Sequence, residues 1–517
     1  MTTTTIIPKF DLLMQGKLGP ALTGKYFDAI NPSNGEVFAQ IADADEIDVQ
    51  MAVSAARLGF DHGHWPQMSV AERGAFLLRI ATLIRENAKE LADLECASTG
   101  KTIKHTTFID VPTAADTFEY FGNLSGNLFR EMVNKRGLSP DSQGDCPLQS
   151  TIEHEPVGVV VVIIPWNYPL IMTAWKLAPA LLAGNTVVLK PSKVACASVM
   201  LLAKIVSQVG LSKGVLNIIT SSRAQTGQEL VGNPEVDMVS FTGGTKTGQE
   251  VMAQAAKGVK KLTLELGGKS PNIVFADCDM EAALGGSLSA IFMNQGQMCT
   301  AGSRILVEDK IYKEFVDKLV SRAKNLKIGS ADNFETEFGP LVSIEHRNSV
   351  LKYIEKGKQE GAKLACGGKI PEGNSPHEKL GTVPFSKGAY LEPTIFVNVR
   401  NSMSIAQEEI FGPVLCVIPF TSMEEAIHIA NDTKYGLAAM IWSKDLEKAN
   451  KVARRLRCGT VWINTYGAFL NEVPFGGYKQ SGFGRELGLA GLLEYTQLKH
   501  IAIDQTPGGR SLVTSWF

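Results

Sequence analysis

A cysteine in a polar, glycine-bearing segment is the first candidate for chemistry in this chain of 517 residues. Cys299 lies in segment 294–304, whereas a cysteine that only packs usually has apolar neighbours. As a thiolate open to a ligand, it could attack a carbonyl carbon and form a covalent intermediate. A cysteine in the core is the competing interpretation, so Cys299 alone does not decide the function.

Two further side chains have the types that such a reaction requires. Glu265 is a carboxylate among apolar residues beside Gly267 and Gly268, and burial there would raise its pKa into the range useful to a general base. A surface glutamate at the end of a strand is the alternative. Asn167 follows a buried strand, where its amide could donate a hydrogen bond to a developing oxyanion.

A glycine turn is the fourth candidate. Gly243, Gly244 and Gly248 follow a predicted strand at 238–241 and precede a predicted helix. Glycines at such a junction let the backbone approach a phosphate at the positive end of the helix. The spacing is not G-x-G-x-x-G, so an ordinary tight connection remains an alternative.

The elements that position these residues alternate between strands and helices. Predicted strands at 157–164, 186–189, 215–219 and 238–241 alternate with predicted helices near 172–183 and 197–209. This order is typical of a parallel sheet, whose ligands bind at the carboxyl ends of the strands. A further α/β pattern after about Pro271 predicts a second domain. Segment 130–146 is interpreted as a projecting arm or a loop.

Two local signals stand upstream of this pattern. Asn34-Gly35 predicts a hairpin, because both residues accept the positive φ of a tight turn. Ser69 and Glu72 form a capping box, and the apolar residues that follow predict one long helix through Leu94.

The composition excludes several classes of protein. The net charge is −2, without the basic stripe that nucleic acid needs, so no nucleic-acid partner is expected. The longest apolar run, 157–164, is far below the ~20 residues of a membrane helix. The threonine-rich N-terminus lacks the basic region and apolar core of a signal peptide, so none is expected there. No C-x-x-C pair occurs, which argues against a metal site and indicates a reducing, cytoplasmic compartment.

Taken together, the motifs closely resemble the aldehyde dehydrogenase superfamily, from about Ile30 to Lys499. The separation of Glu265 and Cys299 matches the family's, as do Lys190-Pro191-Ser192 and the segments 408–413 and 474–482. The resemblance implies an NAD- or NADP-dependent oxidation of an aldehyde to the carboxylic acid through a thioester. Because CoA-acylating members typically lack the Glu265 carboxylate, hydrolysis to the free acid is expected.

The resemblance also implies a role for each matching residue. Cys299 would form the thioester, Glu265 would activate the hydrolytic water, and Asn167 would hold the oxyanion together with the Cys299 backbone N–H. Lys176 would lie near the water path. The residues that match the family's cofactor site are Ile164, Pro165, Trp166, Lys190, Ser192, Lys193, Gly243, Gly244, Gly248, Leu266, Glu409 and Phe411.

Two positions depart from the family pattern in the cofactor site. Lys193 stands where NAD-preferring members usually carry a glutamate, and Gly244 replaces a common serine. An acidic residue repels the 2′-phosphate of NADP and a lysine attracts it, so we expect NADP⁺ to be used at least comparably to NAD⁺.

The substrate funnel implied by the resemblance is aromatic and rich in thioethers. Its residues are Tyr168, Met172, Trp175, Met293, Met298, Thr300, Phe469 and Phe475. This set favours an apolar or aromatic aldehyde, and relatives that oxidise trimethylammonio-aldehydes tend to have Trp at the position of Phe475. A betaine-, amino- or semialdehyde dehydrogenase is the alternative within the family. A non-catalytic structural relative is the alternative outside enzymes, although Cys299 and Glu265 are both retained.

The predicted fold class is α/β, with a Rossmann-type cofactor domain, an α/β catalytic domain and a small β arm. The cofactor domain is expected at 1–132 and 157–266 and the catalytic domain at 267–480. The arm and a C-terminal tail are expected at 133–156 and 481–517. Because relatives pair this arm between subunits, we expect a homodimer or homotetramer, with a small-molecule aldehyde as the other partner.

Overall fold

The structure, a computed structural model, describes residues 7–124, 128–133, 148–377 and 381–505. Its first large sheet has eight strands, of which the central five are parallel and the outer three are antiparallel to their neighbours. In spatial order the strands are Gly482–Phe483, Lys261–Glu265, Met238–Thr242, Val159–Ile164, Thr186–Pro191, Leu216–Ile218, Leu12–Met14 and Lys17–Gly19.

The strand Val159–Ile164 shows why this sheet is covered on both faces. Val160 and Val162 pack into one hydrophobic core, and Val159 and Val161 pack into another. A run of β-branched residues without polar alternation is typical of a parallel strand that is buried on both sides. One face is covered by the helices Val70–Glu86, Ala88–Thr99, Val111–Gly122, Pro169–Leu182 and Ala197–Val206, and the other by Glu46–Asp61, Thr226–Gly232 and Thr245–Ala256.

A second, seven-stranded sheet follows in the chain, and only its edge strand Lys363–Cys366 is antiparallel. The other strands, in spatial order, are Thr394–Val397, Val414–Phe420, Arg304–Glu308, Pro271–Val274, Ala438–Trp442 and Thr460–Ile463. Its main helices are Met280–Phe292, Asp309–Lys324, Ile344–Gln359, Met423–Asn431 and Leu446–Ala453. Two mainly parallel sheets confirm the α/β fold class, while the residue limits of the domains stay predictions.

A three-stranded antiparallel sheet joins distant parts of the sequence. Strand Thr496–Asp504 pairs with Leu148–Pro156, which pairs with Arg130–Val133. The rest of the predicted arm, 134–147, and the tail after Gln505 lie outside the described residues. Within the part of the chain that the structure describes, no helix is both long and apolar enough to cross a membrane.

Two local predictions differ from the structure. The predicted long helix is two helices, Val70–Glu86 and Ala88–Thr99, although the capping box of Ser69 and Glu72 is present. The break is at Asn87, whose backbone leaves helical geometry and whose Nδ2 donates to Leu83 O at 2.8 Å, since asparagine competes with the helix for backbone partners. The hairpin of Tyr26–Ile30 and Val37–Ala42 forms, but only Gly35 has positive φ in its turn.

Candidate active site

Cys299 is presented by a loop with an uncommon backbone. Asn294, Gln295 and Gly296 have φ of 47°, 54° and 72°, so the chain makes three successive left-handed steps after the helix Met280–Phe292. A Cβ atom at Gly296 would collide with the carbonyl of Gly412, which is why glycine is required there. The loop leaves Cys299 half-buried at the wall of a cavity.

That cavity has a volume of about 220 Å³ and is lined by two of the four predicted catalytic residues and by the predicted substrate residues. Cys299, Glu265 and Leu266 line it together with all eight residues predicted for the substrate funnel. Its apolar wall is built from rings that support one another. Trp175 lies 5.5 Å from Phe475 and 5.8 Å from Phe469 between ring centroids, and the two phenylalanines are 5.4 Å apart.

Glu265 ends the strand Lys261–Glu265 and is buried. Neither of its carboxylate oxygens has a hydrogen-bond partner among the described residues. Burial raises its pKa well above the usual range, and the nearby Glu486 raises it further, while Lys176 opposes both. An unpartnered carboxylate of raised pKa has the properties of a general base toward water.

Lys176 is held behind Glu265 by a buried ion pair. Its Nζ donates to Glu486 Oε1 at 2.5 Å and to Ser240 Oγ at 2.9 Å. Glu486 also lines the cavity and was missed by sequence reasoning, because nothing in its local sequence distinguishes it from a surface glutamate. The structure therefore places Lys176 near Glu265 and adds a second carboxylate to the site.

Asn167 lies beside the cysteine loop. Its Nδ2 donates to Gln297 O at 2.9 Å, and Asn294 Nδ2 donates to Asn167 O at 3.2 Å. These bonds fix the Asn167 amide two residues from Cys299 along the loop. An amide nitrogen has two N–H groups, so one remains for an oxygen of the substrate.

The electrostatic surroundings of Cys299 favour the protonated thiol. Desolvation of the sulfur raises its pKa to about 12, and the carboxylates of Glu409 and Glu265 act in the same direction. Glu409 Oε1 accepts a hydrogen bond from Gly268 N at 3.0 Å, and its own pKa is raised to about 7 by desolvation. The thiol proton must therefore leave as the sulfur attacks, or a bound cation must lower the thiol pKa.

A second cavity, of about 360 Å³, lies at the carboxyl ends of the first sheet. Strand Val159–Ile164 pairs with Thr186–Pro191 on one side and with Met238–Thr242 on the other, which makes this edge a topological switch point. Crevices at such points bind nucleotides. Lys190, Ser192 and Lys193 line the cavity. Gly243, Gly244 and Gly248 lie at the start of the adjoining helix Thr245–Ala256, whose N-terminus suits a pyrophosphate.

The remaining predicted cofactor residues lie at the same edge of the sheet or beside it. Ile164 ends its strand and leads into Pro165 and Trp166, and the rings of Trp166 and Phe411 are 5.2 Å apart. Leu266 packs against Gly248, where a Cβ atom would collide with it. The donor set, the helix terminus and the crevice fit a dinucleotide.

Arg223 is a cofactor-site candidate that sequence reasoning missed. It lines the same crevice as Lys193, and its Nη2 pairs with Glu229 Oε1 at 2.5 Å. Its buried Nη1 has no hydrogen-bond partner among the described residues. Lys193 is exposed and its Nζ donates to Ser222 O at 3.2 Å, so two cations face the crevice.

Tyr466 and His105 also line the substrate cavity and were not predicted. The Tyr466 hydroxyl lies 3.4 Å from Thr300 Oγ1 and 3.5 Å from Met298 Sδ, so it contacts both neighbours of Cys299. Such contacts join segments far apart in sequence, so no local sequence pattern predicts them.

A buried network of charged side chains packs against the ring of Tyr168. Lys101 Nζ lies 4.1 Å from the centroid of the Tyr168 ring and forms ion pairs with Glu95, at 3.2 Å, and with Asp110. All three charged side chains are fully buried. The network fixes one wall of the substrate cavity.

Comparisons with known proteins agree with this geometry. The family model described as the aldehyde dehydrogenase family matches residues 21–501. The betaine aldehyde dehydrogenase of Bacillus subtilis (strain 168) is 47% identical over 488 residues, which cover 94% of this chain and 95% of that protein. A putative aldehyde dehydrogenase of the same organism is 42% identical over 493 residues, which cover 95% of each. The structure of betaine aldehyde dehydrogenase from Staphylococcus aureus in complex with NAD⁺ is similar with a TM-score of 0.91 and 41% identity, covering 98% of this chain and 96% of that one.

Proposed function

The chain belongs to the aldehyde dehydrogenase family and is an NAD(P)-dependent oxidoreductase, and we propose that Cys299 is the nucleophile with which it oxidises an aldehyde. The observation that carries the proposal is one cavity that contains both the Cys299 thiol and the unpartnered Glu265 carboxylate. Covalent catalysis needs the first group, and hydrolysis of the product needs the second.

In the proposed first step, the Cys299 sulfur bonds to the carbonyl carbon and the thiol proton passes to solvent. The carbonyl oxygen gains the electron pair and is held by the Asn167 amide and the Cys299 backbone N–H. NAD⁺ or NADP⁺, when bound, supplies the acceptor for the hydride that leaves this carbon. A thioester on Cys299 results.

In the second step, Glu265 removes a proton from a water molecule as its oxygen attacks the thioester carbon. The carbon–sulfur bond breaks, the carboxylic acid leaves, and the proton taken up by Glu265 passes to the leaving sulfur, so that both groups regain their starting forms. Burial raises the pKa of Glu265 most, and in the neighbouring ion pair Glu486 raises it further while Lys176 lowers it. Retention of Glu265 supports hydrolysis rather than transfer to CoA.

For the substrate, we favour an apolar or aromatic aldehyde. The cavity wall consists mainly of rings and thioethers. Of its two carboxyl groups, Glu486 is paired with Lys176, and burial raises the pKa of Glu265, which disfavours its charged form. A trimethylammonio-aldehyde is the second candidate, since aromatic rings also bind quaternary ammonium and two relatives are named betaine aldehyde dehydrogenases.

Three aldehydes separate the two substrate classes. We expect kcat/KM for benzaldehyde and for 3,3-dimethylbutanal to exceed that for betaine aldehyde, measured from the formation of reduced cofactor. 3,3-Dimethylbutanal is the matched control, because it has the shape of betaine aldehyde without its charge. If betaine aldehyde were preferred over this isostere by more than about tenfold, cation binding would define the site instead.

For the cofactor, we propose that NADP⁺ is used at least comparably to NAD⁺. Lys193 and Arg223 face the same crevice, and a partly exposed cation next to a phosphate contributes about 1 kcal/mol, or several-fold in affinity. Lys193→Glu should lower kcat/KM for NADP⁺ relative to NAD⁺ several-fold, and Lys257→Glu, at an exposed lysine that does not line the crevice, should leave the ratio unchanged. A wild type that favours NAD⁺ a hundredfold, or an unchanged ratio in Lys193→Glu, would contradict this role.

A homodimer or homotetramer is part of the proposal. Strand Thr496–Asp504 is one of the two outer strands of the three-stranded sheet. It exposes Leu498, Ile501 and Ile503. An outer strand with exposed apolar side chains favours association with a second copy.

A cytoplasmic location is also proposed. The seven cysteines that the structure describes are free thiols, and Cys299 must stay reduced to act as a nucleophile. A reducing compartment satisfies both conditions.

A further inference from the structure

Phe411 has a backbone conformation that needs support. Its φ is +56°, in the left-handed region that a bulky residue rarely adopts. The residue belongs to the 408–413 motif. Its bulky side chain disfavours this conformation and so does not explain it. The surrounding structure must therefore hold this peptide in place.

His346 makes the bond that holds it. Its Nε2 lies 2.7 Å from the carbonyl oxygen of Phe411, and because a carbonyl only accepts, the imidazole must donate from Nε2. The backbone of His346 is fixed in turn, because its N–H donates to the Ser343 side chain that caps the helix Ile344–Gln359. The donor thus projects from the first turn of a rigid element.

Three rings meet at this point. Trp166 lies 5.2 Å from both Phe411 and His346 between ring centroids, in edge-to-face arrangements. All three side chains are half-buried, so each still presents ring surface to a ligand. Trp166 follows the strand Val159–Ile164, whose carboxyl end borders the cofactor crevice through Ile163.

The same segment contacts the catalytic loops. Glu409 accepts a hydrogen bond from Gly268, three residues after Glu265. Gly412 packs directly against Gly296 in the loop that presents Cys299. A shift of the Phe411 peptide would therefore move both the segment that follows Glu265 and the loop that presents Cys299.

We infer that His346 is a positioning residue, which holds Phe411 in its left-handed conformation so that the Phe411 ring packs against the nicotinamide. The inference rests on the proposed placement of Phe411 in the cofactor site. It assigns His346 no contact with the substrate and no proton transfer. Its effect should appear in the rate of hydride transfer rather than in the affinity for the dinucleotide, most of which lies away from the ring.

Two amide substitutions in the full-length enzyme test the position of the donor. Glutamine places an N–H near the position of Nε2, whereas asparagine places it near Nδ1. His346→Gln should keep the pre-steady-state rate of cofactor reduction within about twofold, and His346→Asn should lower it about tenfold. Titration of NAD⁺ should give dissociation constants close to wild type for both. Equal losses in both variants, no loss in either, or a loss confined to NAD⁺ affinity would overturn the inference.

A double-mutant cycle tests whether His346 acts through Phe411. Phe411→Leu removes the ring and should slow cofactor reduction by itself, after which adding His346→Asn should slow it little further. Multiplied losses would show that His346 acts by another route. If Phe411→Leu has no effect, the placement of Phe411 at the cofactor is wrong and the inference falls with it. If it slows reduction but His346→Asn does not, only the role of His346 is wrong. Melting temperatures of the variants separate either result from a loss of fold.

Discussion

Replacing Cys299 by alanine is expected to lower aldehyde turnover by more than about a thousandfold. Among the described residues that line the substrate cavity, three carry sulfur: Cys299, Met293 and Met298. The two methionines carry thioethers, which have no proton to lose, so the substitution removes the one thiol that could act as a nucleophile. Binding of NAD⁺ should be unchanged, because the crevice at the carboxyl ends of the first sheet does not involve the thiol. Steady-state kinetics and a cofactor titration on the same preparation measure the two effects.

Cys278→Ala provides the matched control. Cys278 is also a free, buried thiol, but it packs in a hydrophobic core and does not line the cavity. It should keep turnover near that of wild type. A Cys299→Ala enzyme with more than about a thousandth of wild-type turnover would exclude a covalent route through this thiol.

The second large effect is expected for Glu265→Gln. The amide has the shape of the carboxylate but cannot accept a proton from water, so hydrolysis of the thioester should slow far more than its formation. One equivalent of reduced cofactor should form rapidly on mixing with aldehyde, and steady turnover should then fall by about a hundredfold or more. Stopped-flow absorbance records both phases in one trace, and the burst serves as the internal control. Equal loss of burst and steady rate would place Glu265 in another step.

The raised pKa of Glu265 also gives the sign of the pH dependence. The base must be ionised, and burial makes the ionised form appear at a higher pH than for an ordinary glutamate. The wild-type deacylation rate should therefore rise with pH through the raised pKa and be lost as pH falls below it. The substitution Glu265→Gln should remove this rise from the residual rate.

Much of the fold and the site could be predicted from the sequence, because the signals are local. The β-branched run that ends at Ile164 predicts a parallel strand, and the structure shows it buried on both faces. The parallel register then brings distant strand ends together. Thr242 pairs with Glu265, and Ile163 pairs with Lys190. The eight substrate residues were instead named through the family resemblance, and they line one cavity from the helix Pro169–Leu182 and from loops rather than from strand ends.

The residues that were missed act through tertiary contacts. Glu486 belongs to the site because it pairs with Lys176 and lies near Glu265. His346 belongs to it because its ring contacts the backbone carbonyl of Phe411. Arg223 and Tyr466 likewise belong to no local pattern. The break at Asn87 was missed because the apolar period continues across it, while the Asn87 side chain bonds to Leu83 O, which also accepts from the Asn87 backbone N–H. Periodicity reports which face is buried, but it does not report where a side chain competes with the backbone for a carbonyl.

Trapping the thioester tests the central claim most directly. The Glu265→Gln enzyme is mixed with NAD⁺ and benzaldehyde, quenched in acid at the end of the burst, digested and analysed by mass spectrometry. We predict that the peptide containing Cys299 gains the mass of one benzoyl group, in an amount equal to the reduced cofactor formed. A burst of reduced cofactor without that acylated peptide, or with the acyl group on any other residue, would contradict the account.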